Sequence, residues 1–368
     1  MMMMMMKRLS SPAKRFLSID YLTSSLEKPS TPPYTLSSLY DSRANNNGKE
    51  SKTSQERNRQ EKKLRKNIVS SVILNDIFLE EGIEPFTAKQ IARSQTFFNN
   101  AKTELEWTIA DYEEIPDVKV EKLQIDRLRK IERAMENSIG NSQAFNLSPK
   151  KTFGIKPQLL KPLPEVLIMG HTNVGKSSLI NSLINPNESL SRTDQLAYVS
   201  AKAGYTKTLN CFNISRKLRF IDSPGYGERG APRQGKVVIE YLEKRKLLKK
   251  VILLIDSIHG FHEEDMHIIS HLSNLGIPFD IVFTKMDEVL RKYFKKDIFK
   301  KENSRDMIVS GNQAVLQHYN DLIESSGVCE IALPPKFMFN NAHVNKFISD
   351  FSGIKTIRCS ILQGCNLL

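Results

Sequence analysis

The 368-residue sequence lacks the features that mark disulfide-rich and membrane-spanning proteins. Its four cysteines include no C-x-x-C pair, which argues against a disulfide framework or a metal site and favours a reducing compartment. The longest strongly apolar run, residues 251–255, is too short to cross a bilayer and predicts a buried parallel strand. The C-terminal Cys365-Asn-Leu-Leu superficially resembles a prenylation signal, but Asn366 stands where an aliphatic residue belongs. The cysteines are Cys211, Cys329, Cys359 and Cys365.

Positive charge is abundant and unevenly distributed along the chain. The net charge is +13, and residues 1–66 contribute +8 of it, because they hold 14 basic residues against six acidic ones. The remainder of the chain is therefore only mildly basic. Such a charge is compatible with RNA contact without requiring it.

The N-terminus has the composition of a targeting segment. The first 19 residues contain four basic residues, no acidic residue, and serines interspersed with apolar residues. This pattern predicts a mitochondrial presequence over residues 1–26, and hence a location in the mitochondrial matrix. A disordered basic tail is the alternative. The six methionines at the start leave the initiation site open.

Three regions follow this segment. Residues 27–67 are polar and then strongly charged, which predicts a linker or a tail. Residues 68–162 form an extension whose segment 118–162 includes a charged helix. That helix either packs against the domain or serves as an arm for a partner. Residues 163–368 alternate strand-like and helix-like segments and predict an α/β domain. The apolar stripe of the charged helix consists of Leu123, Ile125, Leu128, Ile131 and Met135.

Residues 170–178 read GHTNVGKSS and directly follow a strand-like run that ends at Met169. This is the pattern of a phosphate-binding loop between a strand and a helix. Its glycines permit turns and a close backbone approach, and its amides form a nest for phosphate oxygens. We expect Lys176 to reach the β- and γ-phosphates and Ser177 to bind Mg²⁺. The predicted nucleotide-binding residues here are Gly170, His171, Thr172, Asn173, Val174, Gly175, Lys176, Ser177 and Ser178.

A second motif selects guanine as the base. Thr284-Lys-Met-Asp287 follows the strand-like residues 279–283. The carboxylate of Asp287 can accept hydrogen bonds from the N1–H and N2–H₂ groups of guanine, a donor pair that adenine lacks. The stem of Lys285 can cover one face of the base. In order after a phosphate-binding loop, Thr284, Lys285 and Asp287 therefore predict GTP rather than ATP.

Two segments between these motifs are candidates to sense the γ-phosphate. Asp222-Ser-Pro-Gly225 follows the strand 218–221 and fits a D-x-x-G element, in which Asp222 holds Mg²⁺ through a water and the Gly225 amide bonds the phosphate. Residues 200–208 are in the position of a switch I loop. We expect Thr206, with Thr208 as second choice, to meet the metal there. The predicted metal ligands are Ser177, Thr206 and Asp222, and the predicted catalytic residues are Lys176, Thr206 and Gly225.

These ordered motifs, together with residues 241–245, 251–260 and 276–287, resemble the EngB ribosome-biogenesis GTPases over roughly residues 88–361. The resemblance implies a Ras-like P-loop fold with a mostly parallel six-stranded sheet, one antiparallel strand and helices on both faces. It further implies GTP hydrolysis with Mg²⁺, and a role on the large mitochondrial ribosomal subunit and its rRNA. We expect a monomer. The last guanine-contacting loop of the family matches Asn341 and Ala342, although a simple exposed turn is equally compatible.

The sequence departs from the family pattern in ways that bear on hydrolysis. His171 and Tyr205 stand where the family usually has arginine, so positive charge near the phosphates is reduced. Tyr226 follows the D-x-x-G glycine where Ras-like proteins have a water-orienting glutamine, and we therefore expect slow intrinsic hydrolysis. Asn173 occupies a place where related GTPases help to hold K⁺, which could stabilise transition-state charge. The alternative is an asparagine that tolerates an unusual backbone angle.

Other interpretations remain open at this stage. A Ras-type signalling or membrane switch is disfavoured by Tyr226 and by the poor lipidation signal. A GTP-binding scaffold that scarcely hydrolyses is a further alternative, and an RNA-modifying GTPase is disfavoured because no extra catalytic domain is evident. Residues 291–301 interleave basic and aromatic side chains. They form either an RNA-facing surface or a helix whose aromatics face the core and whose lysines are solvated.

Overall fold

The computed structural model describes residues 54–79, 83–137, 152–185, 208–227, 232–332, 334–341, 343–348 and 352–368. These residues include seven strands and ten α-helices. The strands are β1 (Thr103–Ile109), β2 (Glu165–Gly170), β3 (Leu209–Ile214), β4 (Leu218–Asp222), β5 (Leu248–Asp256), β6 (Phe279–Thr284) and β7 (Lys336–Phe339). The helices are α1 (Ser54–Arg65), α2 (Ser71–Ile77), α3 (Ala88–Asn99), α4 (Pro116–Asn137), α5 (Lys176–Ile184), α6 (Pro232–Lys244), α7 (Glu263–Leu275), α8 (Met286–Tyr293), α9 (Ser304–Ser326) and α10 (Ile354–Gly364).

All seven strands form one sheet in the order β1-β3-β4-β2-β5-β6-β7. Strand β3 runs antiparallel to both of its neighbours, and the remaining neighbouring pairs are parallel. The predicted class is confirmed: a mostly parallel sheet with one antiparallel strand and helices on both faces. The sheet has seven strands rather than six, because β1 pairs with the outer edge of β3.

Each face of the sheet packs against its own helices. Alternate residues of β2 point to opposite sides, so Leu167 and Met169 join one hydrophobic cluster while Val166 and Ile168 join the other. The first cluster contains the apolar residues of α6, α7, α8 and α9. The second contains Phe98 of α3 and the apolar faces of α5 and α10. Every residue of β2 is buried, as expected for a central parallel strand.

The observed bounds of several helices and strands differ from those that the hydrophobic pattern predicts. The hydrophobic pattern predicts a helix over residues 234–248 and a strand over 251–256, whereas α6 ends at Lys244 and β5 begins at Leu248. The helix ends there because Arg245 turns inward and donates to the buried carboxylate of Glu165 at 2.6 Å. The C-terminal helix, predicted near residues 348–362, begins at Ile354. Gly353 precedes it with φ 89°, and a Cβ there would lie 2.0 Å from the Phe339 carbonyl oxygen.

The N-terminal extension packs into the same unit as the predicted domain. Asn75 of α2 accepts a hydrogen bond from the Phe339 amide, on the outer edge of the edge strand β7. The Asn312 side chain bonds the backbone of both Val69 and Asn67. Leu74 and Phe78 belong to the main hydrophobic cluster. The expected boundary near residue 162 therefore lies within one packed structure.

Helix α4 contacts the domain mainly through its first turns. Val120 is buried and Lys122 pairs with Glu113, whereas Ile125, Leu128 and Met135 are exposed. The first turns of α4 are thus packed, whereas these three apolar residues of its later turns are exposed. The charged pattern predicts a helix over residues 118–147, and the part of it from residue 138 onward lies outside the described residues. Within the described ranges, no helix combines the length and apolarity needed to cross a bilayer.

Candidate functional site

The predicted motifs converge on the carboxyl edge of the parallel strands. The phosphate-binding loop follows β2, the D-x-x-G element begins at the end of β4, and Thr284 to Asp287 follow β6. Strands β2 and β4 are neighbours in register, with Ile168 opposite Asp222. In open α/β sheets this edge is where ligands bind, because the loops that leave adjacent strands meet there.

The backbone of the phosphate-binding loop requires its glycines. Gly170 has φ 152°, and a Cβ there would lie 2.7 Å from the Leu254 carbonyl oxygen. Gly175 has φ 107° and caps α5. Asn173, at the exposed tip of the loop, has φ 63°, a left-handed conformation that asparagine tolerates better than most residues. The loop thereby turns from β2 into α5 with its amides at the helix N-terminus, as an anion cradle does.

Lys176 is folded back over this loop. Its ammonium donates hydrogen bonds of 2.9 Å to the carbonyl oxygens of Gly170 and His171. Burial lowers the pKa of Lys176 to about 8, and Asp222 and Asp265 only partly oppose the shift. A Cβ on Gly225 would lie 3.0 Å from this ammonium and 2.8 Å from the Thr172 methyl group. Only a glycine therefore lets the D-x-x-G backbone approach the loop so closely.

Ser177 and Asp222 form a pair of hard oxygen donors beside the lysine. The Ser177 hydroxyl lies 3.5 Å from Asp222 Oδ2. Asp222 is 2% exposed, and its Oδ1 has no hydrogen-bond partner in the described part of the chain. Burial raises the pKa of Asp222 to about 6, while Lys176 and Ser177 act in the opposite direction. A buried carboxylate with an unpaired oxygen next to a serine hydroxyl fits Mg²⁺, which prefers oxygen ligands.

The guanine-selective end of the site is also buried. Asp287 is 2% exposed, and its Oδ1 has no hydrogen-bond partner within the described ranges. Burial raises the pKa of Asp287, although Arg291 and His343 counteract this. Thr284 ties this loop to the phosphate-binding loop by donating to the Val174 carbonyl oxygen at 2.7 Å. The base-reading and phosphate-binding loops are therefore fixed to one another.

Lys285 is held in place by a residue that the sequence motifs did not identify. Its ammonium donates to Oδ2 of Asp256, at the end of β5, at 2.6 Å. Burial raises the pKa of Asp256, but bonds from Lys285 and the Ile258 amide outweigh it and the net shift is downward. The pairing fixes the ammonium of Lys285 beside the end of β5. The signal that could have found it is the aspartate that ends a buried strand.

The last loop of the site is organised by asparagines. Asn341 is buried; its amide donates to the His343 carbonyl oxygen, and its oxygen accepts bonds from Ser352. Its side chain thus shapes the loop. Asn345, which the sequence motifs missed, donates to the Asp287 carbonyl oxygen at 2.9 Å and so joins this loop to the base-reading turn. Ala342 lies outside the described residues.

The predicted metal-binding threonine of switch I, Thr206, lies outside the described residues. Thr208, the second choice, is described, and its hydroxyl donates to Asn210 Oδ1 at 3.4 Å. The remaining residues of the predicted switch I loop, 200–207, lie outside the described residues. Among the described residues, no switch I side chain is therefore shown in contact with Ser177 or Asp222.

A cluster of aromatic and acidic side chains flanks the phosphate end of the site. The ring of His171 stacks on that of His262 at 4.7 Å and meets Tyr226 edge-on at 6.0 Å. The Tyr226 hydroxyl donates to Asp265 at 2.5 Å, and the Thr172 amide donates to the Tyr226 carbonyl oxygen at 3.0 Å. Residues of the phosphate-binding loop, the D-x-x-G element and α7 are therefore packed together. Spacing alone does not reveal the contribution of α7.

The chain is similar in sequence to known GTPases and to a family of them. A family described as 50S ribosome-binding GTPase matches residues 165–285, which run from β2 to the base-reading turn. The chain is 33% identical over 297 residues to MIOREX complex component 8 of Saccharomyces cerevisiae, a match that covers 80% of each protein. It is 40% identical over 139 residues to the probable GTP-binding protein EngB of Streptococcus pyogenes, and this match covers 36% of this chain and 66% of that protein. The crystal structure of a probable GTP-binding protein engB aligns with 55% of this chain and 98% of its own, at 19% identity and a TM-score of 0.34.

Proposed function

This chain belongs to the EngB-like family of GTPases, and from that premise we propose that it is a slow GTP-controlled switch acting on the large subunit of the mitochondrial ribosome. Its activity is hydrolysis of GTP to GDP and phosphate. The finer assignments concern rate, compartment and partner. They are supported by the geometry of the site, by the N-terminal composition and by the relatives found.

One observation carries the nucleotide assignment. Each end of the site holds a buried carboxylate oxygen without a partner among the described residues, Oδ1 of Asp222 and Oδ1 of Asp287. A buried, unpaired carboxylate oxygen is costly unless a ligand supplies its partner. Guanine supplies two N–H donors for Asp287, and a hard cation bound to phosphates supplies the charge for Asp222. A magnesium–guanine nucleotide satisfies both at once.

The roles of the residues follow from their positions. Lys176 now bonds the carbonyl oxygens of Gly170 and His171, and it would exchange these for the β- and γ-phosphate oxygens. Ser177 and Asp222, with Thr206 from switch I, would hold Mg²⁺, which when bound neutralises phosphate charge. Gly225 would sense the γ-phosphate through its amide, so that GTP orders the switches and hydrolysis releases them.

Hydrolysis by the chain alone is proposed to be slow. The Tyr226 hydroxyl is bonded to Asp265 of α7, so it is already engaged as a donor to that carboxylate. No glutamine follows Gly225 to orient a water. Asn173 is proposed to help hold K⁺, which would then stabilise transition-state charge. Equal turnover in K⁺ and Na⁺ would eliminate that role.

The compartment and partner rest on separate support. The acid-free, basic N-terminal residues favour mitochondrial import to the matrix. One relative is a component of the MIOREX complex, and the matched family is described as binding the 50S ribosome. We propose that the protein acts as a monomer in assembly of the large mitochondrial ribosomal subunit or in mitochondrial translation.

The test is ultraviolet crosslinking of the tagged protein in cells, followed by sequencing of the attached RNA. Wild type and Asp287→Asn protein would be compared at matched expression, because we expect the variant to keep the fold and to lose guanine recognition. Enrichment of mitochondrial large-subunit rRNA by wild type, reduced in the variant, supports the proposal. A wild-type protein that binds GTP but enriches no rRNA above an untagged control would overturn the ribosomal assignment.

A further inference from the structure

Basic side chains from three separate segments meet on one surface, here called the basic surface. It comprises segments 59–66 and 295–301 together with Lys346. These carry ten basic and two acidic residues, a net charge of +8, while the whole chain carries +13. We propose that the basic surface binds the phosphate backbone of RNA. The basic residues are Arg59, Lys62, Lys63, Arg65, Lys66, Lys295, Lys296, Lys300, Lys301 and Lys346.

Helix α1 contributes a basic stripe opposite its buried side. At about 100° per residue, positions 59, 62 and 63 fall within one face of the helix, and Lys66 lies in the turn that directly follows its last residue. All four side chains there are exposed, whereas Leu64 on the opposite side is 7% exposed and belongs to the main hydrophobic cluster. The domain therefore fixes α1 by its apolar side and presents the stripe to solvent.

The second and third segments are joined to α1 around one aromatic ring. The Arg65 guanidinium lies 5.9 Å from the centre of the Phe299 ring, and the Lys346 ammonium lies 6.0 Å from it. Lys346 also lies 5.0 Å from the Phe347 ring, which packs against Phe294 and Phe299. Residues distant in sequence are thus held at fixed positions by buried neighbours. The aromatic side chains of segment 291–301 pack in or against the main hydrophobic cluster, as the interpretation with core-facing aromatics predicted.

The positive charge of this surface is not neutralised from within. Of its two acidic residues, Glu61 pairs with Arg65 at 3.1 Å and Asp297 lies 3.7 Å from Lys301. Loss of hydration, together with Lys296 and Lys300, lowers the pKa of Lys346 even though Asp297 and Glu61 oppose the shift. Neighbouring cations that repel one another gain most from a ligand that brings several regularly spaced anionic charges.

The choice of RNA as the anion rests on the proposed function and on the character of the surface. Helices that bind anionic membranes present large exposed apolar side chains beside their basic residues. Here the apolar residues are turned inward: Leu64 and Ile298 are buried and Phe299 is half-buried. A surface of extended positive charge on rigid elements suits phosphate contacts that fix position rather than read sequence.

The basic surface also adjoins the base-reading end of the nucleotide site. Lys346 follows Asn345, whose side chain holds the Asp287 carbonyl oxygen. RNA bound at Lys346 would therefore lie beside the loop that recognises guanine. The arrangement places the RNA contact at a defined position relative to the nucleotide.

The experiment measures binding of the full chain to a fluorescein-labelled 20-nucleotide single-stranded RNA by anisotropy, from 50 to 200 mM KCl. The surface variant combines Lys62→Gln, Lys63→Gln, Lys296→Gln and Lys300→Gln. The matched control removes four exposed lysines elsewhere: Lys89→Gln, Lys119→Gln, Lys130→Gln and Lys249→Gln. Unchanged GTP affinity and thermal midpoint establish that both variants are folded.

We expect the surface variant to bind this RNA at least about tenfold more weakly at 100 mM KCl, with a slope of log K against log[KCl] shallower by about 2–3. The control should stay within about twofold of wild type. Equal affinities for wild type and the surface variant would overturn the proposal. The same proteins would also be tested for binding to phosphatidylserine-containing vesicles. A surface variant that loses affinity for these vesicles but keeps its affinity for RNA would likewise overturn the proposal. Because this assay contains no ribosome, a chain that binds RNA here but fails the crosslinking test would contradict the ribosomal assignment alone.

Discussion

The hydroxyl of Tyr226 donates a 2.5 Å hydrogen bond to the carboxylate of Asp265, and this bond joins the D-x-x-G segment to the first turn of α7. Asp265 is 1% exposed and also accepts a bond from the His262 amide. Burial and the adjacent Asp265 carboxylate raise the pKa of Tyr226 well above its usual value, so it remains a neutral donor. The tyrosine that replaces the water-orienting glutamine is therefore engaged in holding the switch segment.

Replacing Tyr226 with phenylalanine should separate stability from catalysis. Tyr226→Phe leaves an oxygen of a buried carboxylate unpaired, and we expect the free energy of unfolding to fall by about 1–3 kcal/mol. Intrinsic GTP hydrolysis should stay within about twofold, because the hydroxyl donates to Asp265 and is not free to orient a water. Urea denaturation and single-turnover assays measure the two quantities. A tenfold loss of turnover without destabilisation would instead assign a direct role to the hydroxyl.

Asp287→Asn should change the nucleotide preference without unfolding the protein. The unpaired Oδ1 of Asp287 is the acceptor available to guanine, and an amide in its place offers a donor where guanine also has one. We expect GTP affinity to fall by at least about 100-fold and xanthosine triphosphate, which has a carbonyl at that position, to bind better than GTP. Titration with fluorescent nucleotides measures both affinities. Retained GTP preference would show that Asp287 does not contact the base.

Asp222→Asn should stabilise the nucleotide-free protein at neutral pH while it weakens Mg²⁺-dependent binding. The folded-state pKa of about 6 exceeds the ordinary value of 3.8. Protonation of Asp222 therefore stabilises the folded wild-type protein. This stabilisation is fully present below about pH 4 and is lost as the pH rises through about 6. At pH 7.5 the wild type buries a charge that the amide lacks, and we expect a gain of about 1–2 kcal/mol in unfolding free energy.

Urea denaturation of both proteins at pH 5 and pH 7.5 measures this effect. The difference between variant and wild type should grow toward pH 7.5, and Mg²⁺ should no longer raise GTP affinity in the variant. A variant that is less stable than wild type at pH 7.5 would show that Asp222 makes favourable contacts in the free protein that outweigh its burial.

The parts of the site that sequence predicted are those that local chemistry dictates. Gly170 and Gly175 have the positive φ angles that a turn from strand to helix requires, and Asp222 and Asp287 follow buried strands whose ends must share one edge. A strand–loop–helix pattern determines these positions without knowledge of distant contacts. The sheet class followed from the same alternation of segments.

The parts that sequence missed depend on contacts between distant segments. Asp256 holds Lys285 from another strand, and Asn345 holds Asp287 from the loop after β7. The boundary between α6 and β5 is set by Arg245, which is drawn to Glu165, 80 residues earlier in the chain. No local pattern encodes these pairings, because the partner becomes a neighbour only when the sheet is assembled.

The N-terminal extension supplies the last prediction, since α2 covers the edge strand of the sheet. The Asn75 oxygen accepts from the Phe339 amide at 3.0 Å, and its amide donates to Thr356 of α10 at 3.2 Å. Asn75→Ala should leave a buried backbone donor unpaired and lower the free energy of unfolding by about 1–3 kcal/mol. The exposed Asn58→Ala, on α1, is the matched control and should change it by less than about 0.5 kcal/mol. Urea denaturation of full-length proteins gives both values. If Asn75→Ala behaves like its control, the hydrogen bond from α2 does not stabilise the edge of β7.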